Sequence, residues 1–227
     1  AEVNSANRVG VLMTGETGPE MDRFLEQCIH PVVLMDILTS AAVDAVTTDN
    51  FKGITQAFDH LSALGHRRIG FVGRDDSIFA YAERFTAFRL KMAEAGLSVL
   101  DEWFYAGGSE IESAAAGVRA MLRRDDRPTA LLCANDCVAL GAVRAAIDAG
   151  IAVPSELSIV GFDDIEAAEM VTPPLTTVRV PLQEMGRRAA RQLVLALQYP
   201  MARKLEGCTI RLAPQLIVRG STASCAA

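Results

Sequence analysis

Residues 128–181, PTALLCANDCVALGAVRAAIDAGIAVPSELSIVGFDDIEAAEMVTPPLTTVRVP, contain two junctions where an apolar run opens abruptly into polar residues. The first is Cys133-Ala134-Asn135-Asp136 and the second is Gly161-Phe162-Asp163-Asp164. The runs before them, LLCA and SIVGF, lack alternation and read as strands buried on both faces, the signature of a parallel sheet. Polar groups released at the carboxyl ends of such strands face the crevice where open α/β sheets bind ligands. Asn135 and Asp163 are therefore expected to form two halves of one small-molecule site.

Outward from this stretch the same alternation continues. Upstream, strands are predicted at 8–14, 31–36, 42–48, 68–73 and 103–106, and helices at 20–27, 51–64, 79–95 and 111–123. The helix over 51–64 has apolar residues at 51, 54, 57, 58, 61 and 64, with Gly65 as its C-terminal stop. Within the stretch itself the prediction is strand 129–134, helix 137–149 and strand 157–162. Pro173-Pro174 then breaks the chain before an extended run at 176–180. Residues 182–197 form an amphipathic helix, with Leu182, Met185, Ala189, Leu193 and Leu197 on one face. Two extended segments, 209–212 and 215–219, close the chain. Strands alternating with helices of this length imply βαβ crossovers and a parallel α/β sheet.

Composition narrows the function. The chain has 227 residues, half of them hydrophobic, enough to bury one or two substantial cores. A net charge of −6 and scattered basic clusters argue against a nucleic-acid-binding surface on this piece. The odd number of cysteines (Cys28, Cys133, Cys137, Cys208 and Cys225) favours free thiols in a reducing compartment. No run reaches membrane-span length, and residues 1–10 lack the apolar core of a signal peptide, so a cytoplasmic location with no membrane partner is expected. His30, His60 and His66 lack further ligands at metal-like spacing and are expected to be surface histidines, with no metal and no cofactor. An enzyme would need machinery that is missing. There is no phosphate-binding GxxxxGK[ST], no GxGxxG after a first strand and no GxSxG elbow.

The segments ANDCVALGAVRA, VPSELSIVGFDD and TPPLTTVRVP followed by an amphipathic helix resemble the effector domain of the LacI/GalR transcriptional regulators, as does VTTDNFKGITQAFDHLSALGHRRIGFVG upstream. The resemblance covers about residues 31–222. It implies a two-lobed, periplasmic-binding-protein-like α/β fold, with residues 1–50 plus 181–209 in an N-terminal lobe and 51–180 plus 210–227 in a C-terminal lobe. It further implies a homodimer, a small polar effector such as a sugar or derivative held between the lobes, and operator DNA bound only through a headpiece absent from this chain. The alternative is a periplasmic sugar-binding protein of a transport system, which shares the two-lobed architecture. Only one strand–helix pair precedes Pro31, where the family has further units, so an incomplete N-terminal lobe with a sheet of two or three strands is expected.

The resemblance also assigns roles. Asp163 matches the aspartate that holds effector hydroxyls, and Arg84 matches an arginine that donates a bidentate pair to the ligand. The structural alternatives are that Asp163 or Asp164 caps the short helix over 165–169 and that Arg84 is an exposed helix arginine paired with Glu83 or a nearby acid. Asn135 is expected to read a ligand hydroxyl while Asp136 caps the helix after it. Phe79 lies in the loop where relatives vary to select their effector, and it would stack on a sugar face or plug the gap between the lobes. Ser109 occupies a position that often carries an aromatic platform, and serine there argues against purine stacking.

Overall fold

The computed structural model describes residues 9–15, 18–39, 41–98, 100–107, 111–199 and 207–225. The chain divides into two compact units. The first comprises residues 1–49, 77–80 and 181–213, and the second 50–76, 81–180 and 214–227.

In the first unit, β1 (Val11–Met13), β2 (Val32–Met35), β3 (Asp44–Thr48) and β9 (Thr209–Leu212) form a parallel sheet in the order β1-β2-β3-β9. Four strands among the described residues is one or two more than expected. The difference is β9, which pairs with β3 from Ala45↔Thr209 to Thr48↔Leu212 and so belongs with the first unit. Such a pairing between residues some 160 positions apart in sequence leaves no local trace. Helix α1 (Pro19–Gln27) follows β1, and its Met21, Phe24 and Leu25 pack against the core of Val32, Leu34, Ile37 and Ala45. Helix α7 (Leu182–Gln198) lies on β1, β2 and β3, burying Met185 and Ala189.

The second unit is a sheet of β10 (Gln215–Ile217), β8 (Thr176–Arg179), β7 (Ser158–Asp163), β6 (Ala130–Cys133), β4 (Ile69–Arg74) and β5 (Phe104–Ala106), in that order. All pairs are parallel except β10 with β8. The strands are apolar because helices cover both faces. On one face α4 (Ile111–Leu122) and α5 (Asp136–Asp148) pack Ala115, Val118, Val138 and Ala142 against Leu131 and Ile159. On the other, α3 (Phe79–Glu94) brings Phe85 and Phe88 onto Phe71 and Phe104, and Phe58 of α2 (Asn50–Ala63) packs on Phe88, with ring centroids 5.2–6.4 Å apart. A short helix α6 (Ala167–Met170) sits between β7 and β8.

The order of these strands locates a crevice. From β4 the chain steps outward to β5 and then returns across β4 to β6, so the winding reverses between β4 and β6. Loops that leave the carboxyl ends of neighbouring strands diverge at such a reversal, and open α/β sheets bind ligands there. Both junctions singled out in the sequence, after β6 and after β7, lie at this end.

Gly53 shows how closely α2 approaches that end. A Cβ there would lie 2.7 Å from Phe162 Cε2 and 3.1 Å from Pro214 Cγ. Replacing glycine by alanine inside a helix ordinarily gains about 1 kcal/mol, whereas overpacking a core ordinarily costs about 1–3 kcal/mol. The contact is with an aromatic ring at the heart of the sheet, so the clash dominates. Gly53→Ala is expected to lower the unfolding free energy by up to about 2 kcal/mol in urea titration.

Candidate functional site

Arg84 is the largest fully buried side chain among the described residues, only 2% exposed. It lies one turn into α3, directed at the carboxyl ends of β6 and β7. A guanidinium in such a place must satisfy its donors or cost several kcal/mol. Its Nε donates to Asn50 Oδ1 at 2.9 Å, and its Nη1 donates to the carbonyl of Ala134 at 2.6 Å. Nη1 is also 3.3 Å from Asp163 Oδ1. The guanidinium carbon stands 3.6 Å from the centroid of the Phe162 ring, a close cation–π contact. Of the structural alternative, the exposure and the Glu83 partner do not hold, while an ion pair with a nearby acid does, in Asp163. Glu83 instead accepts from Asn50 Nδ2 at 2.9 Å, which orients the asparagine that in turn receives Arg84.

Asp163 ends β7, with a side chain about one-third exposed beside the buried Arg84. It does not cap the short helix after it, since α6 begins at Ala167 with Glu166 at its N-cap and no side-chain cap bond. Asp163 has φ 111° and Asp164 has φ 61°. Two consecutive non-glycine residues with positive φ are uncommon and store of order 1–3 kcal/mol each. Surrounding contacts hold this turn in place. Asp164 is nearly buried and is bound by Arg219 Nη2 at 2.7 Å and by Arg179 Nε. Burial pushes the Asp164 carboxyl up, but the bonds and charges of Arg179 and Arg219 outweigh it and hold the group below its ordinary value. Arg219 also bonds Glu169 at 2.8 Å.

The expected roles of Asn135 and Asp136 are corrected in one respect. Asn135, not Asp136, is the N-cap of α5, its Oδ1 accepting from Val138 N at 2.8 Å. The Asn135 backbone is extended, as a cap requires. Its amide nitrogen donates to the hydroxyl of Tyr81, on α3 three residues before Arg84. Asp136 is wholly buried and bridges elements instead, accepting from Thr177 Oγ1 at 2.6 Å and from Ile165 N at 2.9 Å. Burial raises its carboxyl, and the bonds from Thr177, Ile165 and Asp164 oppose that without cancelling it. Gly161 makes the space for it, because a Cβ there would lie 2.1 Å from Asp136 Oδ1. Cys133, fully buried in β6, has its thiol pushed up by burial and then by the charge of Asp136.

The structure thus brings Arg84, Asp163 and Asn135 to one end of the second sheet and adds Tyr81 and Asn50, which the sequence did not single out. The spacing of Tyr81 and Arg84, i and i+3 on one helix face, was the available signal. Phe79 opens α3, and residues 77–80 group with the first unit. Ser109 lies outside the described residues. His66, expected at the surface, is 3% exposed and bonded through both ring nitrogens. His60 is also hydrogen-bonded, to Thr222. As α5 depends on Asn135 for its cap, Asn135→Ala is expected to cost about 1 kcal/mol of stability. Chemical denaturation checks this, and Asn135→Asp should recover most of the loss.

Comparison with known proteins gives a consistent result. Residues 58–222 match the family described as a periplasmic binding protein-like domain. Among curated proteins, the chain is 33% identical over 214 residues to the HTH-type transcriptional repressor PurR of Haemophilus influenzae (strain PittEE), covering 94% of this chain and 64% of the repressor. The chain therefore spans a little under two thirds of that relative's length. Among solved structures, a LacI family transcriptional regulator from Mycobacterium smegmatis superposes with a TM-score of 0.81 at 32% identity, covering 91% of this chain and 74% of that one. The transcriptional regulator CelR in complex with cellobiose gives a TM-score of 0.85 at 30% identity, covering 93% of this chain and 65% of that one. The fold, the strand-end geometry and these matches agree: the chain belongs to the LacI family of transcriptional regulators and carries its periplasmic-binding-protein-like domain.

Proposed function

We propose that this chain is the effector-binding and dimerisation part of a bacterial transcriptional regulator. A small polar metabolite, a sugar or sugar derivative, binds at the carboxyl ends of the second unit's strands and alters the affinity of the whole protein for operator DNA. The observation that carries this reading is the pairing of Asp163 with the buried Arg84 at the carboxyl ends of β6 and β7, next to the reversal of strand order between β4 and β6. A carboxylate accepts hydroxyl protons and a guanidinium donates to hydroxyl oxygens, each such charge-assisted bond contributing about 1.5–3 kcal/mol. Because the two charges lie 3.3 Å apart and offset each other, the pair suits a neutral polyol better than an anion. The solved cellobiose complex of a relative supports the same class of ligand.

In this reading Asp163 and Arg84 contact the ligand directly and Asn135 contributes its amide. No chemical step is assigned to the site. DNA would be reached through a segment outside this chain, the protein would act as a homodimer in the cytoplasm, and the ligand would work by favouring one conformation over another. The alternative of a transport-associated binding protein is not favoured, since the relatives are named as transcriptional repressors and regulators.

A thermal-shift screen of the 227-residue chain against cellobiose, ribose, other sugars, sugar acids, sugar phosphates and nucleosides tests the proposal. A ligand at 100 times its Kd adds about 2.7 kcal/mol of stability, a readily visible rise in Tm. Neutral sugars are expected to give the largest rises. Asp163→Asn, which tolerates the positive φ of this position, should keep the unliganded Tm within a few degrees and weaken binding at least tenfold. Rises confined to nucleosides, or a full rise retained by Asp163→Asn, would count against the assignment.

A further inference from the structure

At the pole of the second sheet opposite Arg84, a cavity of about 300 Å³ opens against the amino-terminal ends of β4, β6 and β7. Its floor is well fastened. His66 is 3% exposed, with Nδ1 2.9 Å from Thr129 Oγ1 and Nε2 3.0 Å from Ser158 Oγ and 3.1 Å from the Ala223 carbonyl. Thr129 N donates to Arg68 O at 2.8 Å, which ties the segments entering β4 and β6 together. Ser158 N donates to Thr129 O at 3.0 Å and does the same for β6 and β7. Ala223 N donates to Ser158 Oγ at 3.1 Å and Cys225 N to Leu64 O at 2.8 Å, so the segment through Ser224 is held as one wall.

Four charged side chains from three loops line this cavity. Arg68 precedes β4, Asp125 and Arg127 precede β6, and Glu156 precedes β7. Two of them are committed to each other. Arg127 Nη2 lies 3.4 Å from Glu156 Oε1, and the other oxygen of Glu156 accepts from Ala152 N at 3.0 Å. Arg68 and Asp125 differ: neither side chain makes a hydrogen bond or ion pair with a described residue, although both line one cavity. Arg68 acts only through its charge, which is felt by Asp126, itself held by Arg124 at 2.8 Å. The hydroxyls of Ser155 and Ser224 are likewise uncommitted among the described residues.

This lining selects a class of ligand. Two guanidinium groups and two carboxylates leave the cavity with no net charge, so a simple anion or cation meets as much repulsion as attraction. A molecule that carries both charges a few bonds apart meets attraction at each end. A carboxylate can take two parallel N–H bonds from the open guanidinium of Arg68, the geometry in which arginine binds best. An ammonium group, with three donors and no acceptor, suits the open carboxylate of Asp125. The volume is at the lower end of the range for small-molecule pockets, about 300–1,000 Å³, as a ligand of amino-acid size requires.

We propose that this cavity is a second small-molecule site of the second unit and takes a free α-amino acid, its carboxylate on Arg68 and its ammonium on Asp125. Ser155 and Ser224 offer hydroxyls to a polar amino-acid side chain. The site lies at the far pole from Asp163 and shares no residue with the site there, so the two can be occupied and measured separately. Once bound, the amino acid links the loop before β4 to the loop before β6 and stabilises the folded unit by mass action.

Isothermal titration calorimetry of the 227-residue chain with each standard amino acid tests this, at low ionic strength because salt screens exposed charges. At least one amino acid is expected to bind with a Kd of about 1 mM or tighter. Its N-acetyl form, which lacks the ammonium, and its amide, which lacks the carboxylate, should each bind at least tenfold more weakly, and inorganic phosphate should not compete. Arg68→Gln and Asp125→Asn should each weaken the amino acid at least tenfold. Both positions are exposed, so the unliganded Tm should stay within a few degrees. Amide chemical-shift changes on binding should centre on Thr129, Ser155 and Ser224 and leave Asn135 and Asp164 in place. The proposal is overturned if no amino acid binds, if the N-acetyl form or phosphate binds equally well, if the shifts centre on Asn135, or if both variants keep full affinity.

Discussion

A buried positive charge is the constraint from which most of the second unit's geometry follows. Arg84 has almost no contact with solvent, so its donors must be met by the protein. The acceptors come from three elements: Asn50 at the start of α2, the Ala134 carbonyl at the end of β6 and Asp163 at the end of β7. One side chain thereby fixes the relative positions of two helices and two strands at the pole where the sheet's winding reverses. Phe162 supports the flat face of the guanidinium, and Gly53 lets α2 approach that ring from its own side. Loss of any one acceptor leaves the others, whereas loss of the arginine leaves several buried polar groups unmatched.

Three aspartates near this pole divide the work by burial. Asp136 is wholly enclosed and ties α5 to β8 and to the turn after β7. Asp164 is nearly enclosed and fastened by Arg179 and Arg219. Asp163 retains solvent access, in a backbone conformation braced by the ion pairs of Asp164 and the hydrogen bond from Ile165 N to Asp136. The accessible carboxylate thus sits on a strained but well-braced turn.

Much of this was legible in the sequence, for reasons that are local. LLCA and SIVGF read as buried parallel strands because both faces are covered, and β6 and β7 lie where expected. The polar residues after them mark strand ends, which brought Asn135 and Asp163 forward. The choice of cap between Asn135 and Asp136 was not legible, as both residue types cap helices well and the answer rests on Thr177, some forty residues away, claiming Asp136. The burial of Arg84 and His66 was hidden for a similar reason. Each sits in polar sequence, AERF and GHRR, and is enclosed only by distant partners such as Asn50 and Ala223. The place of β9 beside β3 likewise depends on non-local pairing.

The most direct test of this account is a double-mutant cycle between Arg84 and Asn50, with unfolding free energies measured for Arg84→Ala, Asn50→Ala and the pair. If Arg84 is the node that joins α2 to the strand ends, the two substitutions should be strongly non-additive, with a coupling of about 1–3 kcal/mol. Additivity within about 0.5 kcal/mol would mean that the two residues contribute independently, and would contradict the central role assigned to the buried arginine.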